Sequence, residues 1–216
     1  MSRLNSSKPK LVIVRHGESE WNAHGKWTGL TDVHLTAKGE YEAAEMGSKL
    51  ADIEFDKVFV SQQVRTQETA NQLLVAAGQA VKYQIEPAIN ERDYGVHTGK
   101  NKWQVQKEVG EEVFHRIRRG WDEPIKGGET LKQVHSRVVP FYKDQVVPLL
   151  RDGKTVLIVA HGNSIRALIK YIESISDSGI ETVEMIFGQA VIYELDNKGK
   201  MLTKTTRSIL TKPPEA

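Results

Sequence analysis

The sequence predicts a doubly wound α/β protein, with a mostly parallel sheet flanked by helices. Three observations predict it. Short apolar, β-branched runs alternate with longer amphipathic segments along the 216 residues. No internal repeat and no low-complexity linker divides the chain. Two apolar runs, LVIV (11–14) and VLIVA (156–160), end in the same dipeptide, His-Gly, which suits two parallel strands meeting at one sheet edge. Residues 10–206 are therefore assigned to one α/β domain. Residues 1–9 are expected to be a flexible leader, and 207–216 (RSILTKPPEA) a flexible tail.

Each element follows from local pattern. LVIV at 11–14 is a buried strand. Residues 35–53, rich in Ala, Glu and Lys behind Thr36, predict a helix with Thr36 as its N-cap. DKVFVS (56–61) is a second strand. Residues 64–78 are a helix stopped by Gly78. VKYQIEP (81–87) is a third strand, and NERDYGVHTGKN (90–101) a polar loop. Residues 103–121 are helical with a weak break at Gly110, and Gly127-Gly128 opens a turn. Residues 129–150 form a long helix kinked at Pro140. TVLIVAHGNS (155–164) is a strand and turn, followed by a helix over 164–175. Residues 190–205 read as strand, turn at Asn197-Lys198-Gly199, and strand. The stretch 90–130 lacks apolar strands and is expected as an excursion on the carboxyl edge of the sheet, where ligands of open α/β sheets bind.

Composition narrows the chemistry. Thirty Lys and Arg against 28 Asp and Glu leave a net charge of +2, too little to point to nucleic acid or a membrane surface. The absence of cysteine excludes disulfides, thiolate catalysis and Cys-ligated zinc. No apolar run reaches the ~18 residues that span a bilayer, and the N-terminus lacks an apolar signal region. The expected location is cytoplasmic.

The two strand ends carry the functional signal. Arg15-His16-Gly17 follows the first strand and His161-Gly162-Asn163 follows the fourth. A single histidine after a strand is ordinarily structural; two in the same setting point to a shared crevice. Metal spacing such as H-E-x-x-H is absent, as is a G-x-S-x-G elbow. Gly153-Lys154-Thr155 resembles the end of a phosphate loop, but Pro148 stands where its first glycine belongs. An imidazole nucleophile beside a guanidinium remains, and that pair suits an anionic phosphoryl group. A buried Arg-His strand end is then reasonable because bound phosphate supplies the counter-charge.

Arg15-His16-Gly17-Glu18 resembles the signature of the histidine phosphatase superfamily. The chain is similar, more narrowly, to its cofactor-dependent phosphoglycerate mutases. The resembling motifs are RHGESEWN (15–22), WTGLTDVHLTAKG (27–39), SQQVRTQET (61–69), NERDYGVHTGKNK (90–102), RIRRGWDEP (116–124), GGETLKQVHSR (127–137) and VLIVAHGNSIR (156–166). They run in family order over nearly the whole chain, and the set is far more specific than Arg-His-Gly alone.

The resemblance implies a phosphoglycerate mutase-like fold and a division of labour. His16 would be the nucleophile that becomes phosphohistidine, with Arg15, Arg65 and His161 around the transferring phosphoryl group. Glu91 would be the general acid/base, and Arg92 a supporting partner. Asn22, Thr28, Gly29, Gly162 and Asn163 would contact bound ligand. Tyr94, Lys102, Arg118 and Arg119 would hold its other anion. Read by itself, RIRR is ordinarily a solvated helix face. The implied reaction interconverts 2- and 3-phosphoglycerate, with 2,3-bisphosphoglycerate as primer and intermediate and no metal. The alternative is a histidine phosphatase that hydrolyses phosphate monoesters. A third, non-catalytic reading is a phospho-ligand or RNA-binding module using RIRR, which intact His16, Glu91 and His161 argue against. Expected partners are small phosphoglycerates, with neither nucleic acid nor membrane, in a monomer or a homodimer. Two local features depart from the mutase pattern. Pro124 is followed almost at once by Gly127-Gly128, without the longer insertion of many mutases. Phe187-Gly188-Gln189 stands where a Gly-Ile-Pro sequence is usual.

Overall fold

The structure is a computed structural model and describes residues 8–196 and 201–209. Six strands form one sheet: β1 Lys10–Arg15, β2 Lys57–Val60, β3 Tyr83–Ile85, β4 Val156–Ala160, β5 Gln189–Leu195 and β6 Met201–Ser208. Their order is β3-β2-β4-β1-β5-β6. The first four strands in that order are parallel, and β5 and β6 are antiparallel to their neighbours. The predicted fold class is the observed one.

Side-chain alternation fills both faces of the sheet. Leu11 and Ile13 of β1 join one core with Val156, Ile158, Leu131, Val138 and Leu168. Val12 and Val14 join the opposite core with Met46, Leu50, Leu73, Leu157 and Val159. Helices α2 Ala37–Lys49 and α3 Val64–Ala76 cover the second face. Helices α6 Leu131–Phe141 and α8 Gly162–Ile172 cover the first. β1 and β4 are adjacent and parallel, yet the next long helix after each leaves for a different face. Their carboxyl ends therefore form the switch point at which a crevice opens.

Local chemistry sets most boundaries. Thr36 caps α2, its hydroxyl accepting from the Gly39 N–H. Gly110, at φ +82°, separates α4 Lys102–Val109 from α5 Glu111–Arg119. A capping box between Thr130 and Gln133 starts α6, two residues later than the sequence suggests. Pro140 does not end that helix. The chain continues through a π turn, Tyr142–Val146, into α7 Val147–Arg151. The third strand shortens to Tyr83–Ile85, because Pro87 opens a 3₁₀ turn. A one-turn helix, α1 Glu20–Ala23, has no counterpart in the sequence reading.

One expectation about the far end of the chain changes. β6 runs through Arg207 and Ser208, which had been assigned to the tail. Arg207 pairs with Asp52, and the Ile209 N–H donates to the Gly188 carbonyl at 3.0 Å, so pairing and side-chain contacts hold these residues. The turn expected at 197–199, residues 1–7 of the leader and residues 210–216 of the tail lie outside the described residues. Among the described residues, no helix is long and apolar enough to cross a membrane.

Candidate active site

Both histidines arrive as expected, at neighbouring strand ends. The His16 N–H extends the β1–β4 ladder to the Ala160 carbonyl at 3.0 Å. The His16 and His161 rings then stand edge to face, 5.0 Å between centroids. Both are buried. Gly17 follows His16 for a steric reason, not for a turn. Its φ is not left-handed. Instead a Cβ there would stand 2.2 Å from the carbonyl oxygen of Gly39.

Hydrogen bonds orient each ring. His16 Nδ1 lies 2.7 Å from the Gly17 carbonyl oxygen. That oxygen can only accept, so Nδ1 carries the proton and Nε2 presents its lone pair. Burial, then the nearby guanidinium groups of Arg65 and Arg15, hold His16 well below its ordinary pKa of 6.5. A neutral imidazole with a free Nε2 is the nucleophilic form. His161 Nε2 meets Ser61 Oγ at 2.7 Å. Burial and the Arg65 charge likewise keep His161 neutral.

The helix after β4 begins at Gly162 rather than 164, with His161 as its N-cap. The first-turn residues Gly162 and Asn163 therefore line the crevice, at the electropositive end of α8.

Arg15 and Arg65 flank His16. Arg15 Nη1 donates to the Met185 carbonyl at 2.8 Å. Arg65 donates to the carbonyls of Thr31 and Gly29, both at 3.0 Å. Burial lowers the pKa of both guanidiniums, Arg65 to about 10, and leaves them cationic at neutral pH. Neither faces a carboxylate within ion-pair distance among the described residues. Among the described residues, their Nε atoms are buried without a partner, as are Trp27 Nε1, Thr28 Oγ1 and His161 Nδ1. Buried donors left unsatisfied are costly, and several converging on one crevice describe a place for oxygen-rich anions.

Glu91 sits across the crevice. Its Oε1 accepts from the Arg92 N–H at 2.8 Å, the Asn163 N–H at 3.3 Å and Asn163 Nδ2 at 3.2 Å. Oε2 points toward Gly162, on the ligand side. Arg92 donates to the carbonyls of Glu129 and Ile117, tying the Glu91 loop to α5.

The remaining predicted residues reach the same crevice. Asn22, Thr28, Gly29, Tyr94, Lys102, Arg118 and Arg119 all line it. Asn22 Oδ1 accepts from Ser19 Oγ at 2.7 Å, which leaves its amide donors for the crevice. Lys102 is pushed down to about 8, by burial first and then by Arg118 and Arg15. Tyr94 meets Asn163 Nδ2 at 2.7 Å, and burial raises its pKa.

Several groups in or beside the crevice were not singled out from the sequence. Arg166 donates to the carbonyls of Arg118 and Arg119 and to Asn163 Oδ1, fixing the end of α5 against α8. Ser61 orients His161. Both lie inside quoted motifs, so a signal existed. Trp27 likewise opens a quoted motif, Phe187 was quoted only as a departure from the mutase pattern, and Glu184 and Met185 had no signal. In all, seven cationic side chains line the crevice against two carboxylates, Glu91 and Glu184. The balance selects a small, strongly anionic ligand. Among the described residues, no group of three or more His, Asp or Glu could hold a metal ion.

Comparison with known proteins agrees with this geometry. The sequence pattern of the histidine phosphatase superfamily (branch 1) matches residues 11–207. The chain is 40% identical over 223 residues to 2,3-bisphosphoglycerate-dependent phosphoglycerate mutase 2 of Lactiplantibacillus plantarum, covering 90% of this chain and 97% of that one. It is 43% identical over 197 residues to the 2,3-bisphosphoglycerate-dependent phosphoglycerate mutase of Mesorhizobium japonicum, covering 90% and 96%. The fold superposes on a mycobacterial glucosyl-3-phosphoglycerate phosphatase with a TM-score of 0.77 at 19% identity, over 94% and 98% of the two chains.

Proposed function

We propose, from the premise that this chain belongs to the histidine phosphatase superfamily, that it is a 2,3-bisphosphoglycerate-dependent phosphoglycerate mutase. One observation carries the reading. A neutral His16 with a free Nε2 stands in a pocket of unsatisfied buried donors, with a second cationic cluster at the other end of the same crevice. A phosphatase needs the first group; a mutase needs both, because its substrate carries two anions.

In this mechanism 2,3-bisphosphoglycerate first primes the free enzyme, one of its phosphates lying among Arg15, Arg65 and His161. His16 Nε2 attacks phosphorus, and the bond to the substrate oxygen breaks. Glu91 protonates that oxygen as it leaves. The Nδ1–H bond to Gly17 holds the ring on line and stabilises the charge that the phosphorylated ring acquires. In the transfer step Glu91 takes a proton from the free hydroxyl of a monophosphoglycerate, which attacks the phosphohistidine; the N–P bond breaks, 2,3-bisphosphoglycerate forms, and it reorients to return its other phosphate to His16. Arg118, Arg119 and Lys102 keep the bisphosphate in the crevice while it reorients. Preorganised charge supplies most of the stabilisation, as phosphoryl transfer requires. 2,3-Bisphosphoglycerate serves as primer. The unsatisfied donors near His16 and the cations of α5 and Lys102 fit its two phosphates and carboxylate.

The test is conversion of 3-phosphoglycerate with and without 2,3-bisphosphoglycerate, with and without EDTA. The expected result is primed interconversion that survives the chelator, with label from the bisphosphate recovered as acid-labile phosphohistidine. His16→Ala abolishes both. Hydrolysis to glycerate without primed interconversion would move the assignment to a phosphatase.

A further inference from the structure

Residues 183–188, between a 3₁₀ turn (Gly179–Thr182) and β5, touch both ends of the crevice. At the His16 end, the Met185 carbonyl accepts from Arg15 at 2.8 Å. The Phe187 ring lies 3.7 Å from Arg15 Cζ and 5.8 Å, centroid to centroid, from the His16 ring. At the distal end, Glu184 Oε1 accepts from Arg119 Nη2 at 2.6 Å. Arg118 and Lys102, which share that end, have no carboxylate within ion-pair distance among the described residues. Among the described residues, Glu184 is thus the only acid within ion-pair distance of these distal cations.

The mechanism above gives Glu184 no task, and its charge opposes the ligand that Arg119 is placed to hold. We propose that Glu184 is a specificity-determining residue. It occupies Arg119 in the absence of ligand, must be displaced by the ligand's distal anion, and so disfavours ligands more strongly the more negative charge they carry there. The identity of the ligands rests on the mutase reading; the competition itself does not.

Three observations support the exchange. The Glu184 side chain is 52% exposed and Arg119 22%, so the carboxylate can swing into water without being stranded in an apolar site. Burial alone would raise its pKa, but the Arg119 hydrogen bond and the charges of Arg119, Arg118 and Arg15 carry it below the ordinary carboxylate value, so it is ionised at neutral pH. Its field also reaches Arg118 and Arg15, and therefore any anion lying between them. With a 3-phosphate at His16, 3-phosphoglycerate presents one distal negative charge, its carboxylate. 2,3-Bisphosphoglycerate adds a second phosphate there. Repulsion scales with that charge, so Glu184 promotes release of the bisphosphate more than of the monophosphate.

The experiment measures binding by calorimetry to wild type and Glu184→Gln, which keeps the size and removes the charge. The probes are inorganic phosphate, 3-phosphoglycerate, 2,3-bisphosphoglycerate and inorganic tripolyphosphate. Glu184→Gln is expected to tighten 3-phosphoglycerate about threefold, and both polyanions about tenfold or more. Inorganic phosphate, which sits beside His16, stays within about twofold, and the gains shrink in high salt. Polyanions that bind the variant no more tightly than wild type would overturn the proposal and make Glu184 a residue that merely positions Arg119. If phosphoglycerates bind neither protein while tripolyphosphate still tightens, the competition stands and the mutase reading fails.

Discussion

His16 holds its proton on Nδ1 because one carbonyl, that of Gly17, can only accept it. That contact leaves Nε2 free, as the proposed nucleophile requires, and burial, then the two guanidiniums beside it, keep the ring neutral. The distal cations follow the same logic of charge seeking an absent partner. Lys102 has its pKa lowered to about 8 and is a cation only below that pH. As pH rises through 8 the attraction for the distal anion is lost, so kcat/KM is expected to fall above pH 8 with most of the change in KM. Lys102→Arg keeps its charge and should hold KM flat to pH 9; an unchanged fall in that variant would assign the limb to another group. Arg118 has no carboxylate within ion-pair distance among the described residues. A charge-assisted contact is worth about 1.5–3 kcal/mol. Arg118→Ala should therefore lower mutase kcat/KM about ten- to a hundredfold, while hydrolysis of a small generic phosphate ester changes little. Equal loss of both activities would return RIRR to a structural role.

Helix α2 shows how an element can carry weak helix formers for a tertiary reason. It contains Gly39 and Gly47, although glycine costs a helix about 1 kcal/mol relative to alanine. A Cβ on Gly39 would stand 2.1 Å from the Glu18 carbonyl oxygen, and one on Gly47 would stand 2.2 Å from that of Leu73. These close approaches seat the helix against the loop after β1 and against α3. Gly39→Ala, which raises helix propensity, should nonetheless destabilise the protein by about 1–3 kcal/mol. It should also lower kcat, since Gly17 and Glu18 would shift and take His16 with them. Thermal unfolding and a steady-state assay check both; a stabilised, fully active variant would refute the packing argument. The same scale explains where element boundaries were legible. Thr36, Gly110 and the apolar runs of β1, β2 and β4 carry their signals locally. The start of α8 does not, because its first turn is set by His161 and Asn163 meeting Ser61 and Glu91 from distant segments.

The molecule as a whole folds around a cationic crevice and two neutral buried histidines, and this has a consequence for acid stability. Both His16 and His161 have folded pKa values below the ordinary 6.5, so below pH 6.5 the unfolded chain binds more protons than the folded one. Stability is then lost as pH falls toward the folded values, by up to about 1.4 kcal/mol per pH unit for each histidine. Urea unfolding of His161→Gln should show a shallower loss between pH 7 and pH 5 than wild type; an equal loss would place the acid sensitivity elsewhere. At this scale the division between sequence and structure is clear. The sequence by itself determined the alternation of strands and helices, the sheet with its two His-Gly strand ends, and a set of motif residues that line one crevice, with His161 buried beside His16. These are local matters of side-chain period, capping and strand-end chemistry. Only the tertiary structure decided that Phe187 lies on Arg15, that Met185 holds that guanidinium from 170 residues away, and that Glu184 takes Arg119 across 65. Contacts between such distant positions depend on how the sheet brings β5 beside β1 and α5 beside the loop that precedes β5. No run of neighbouring residues encodes that placement.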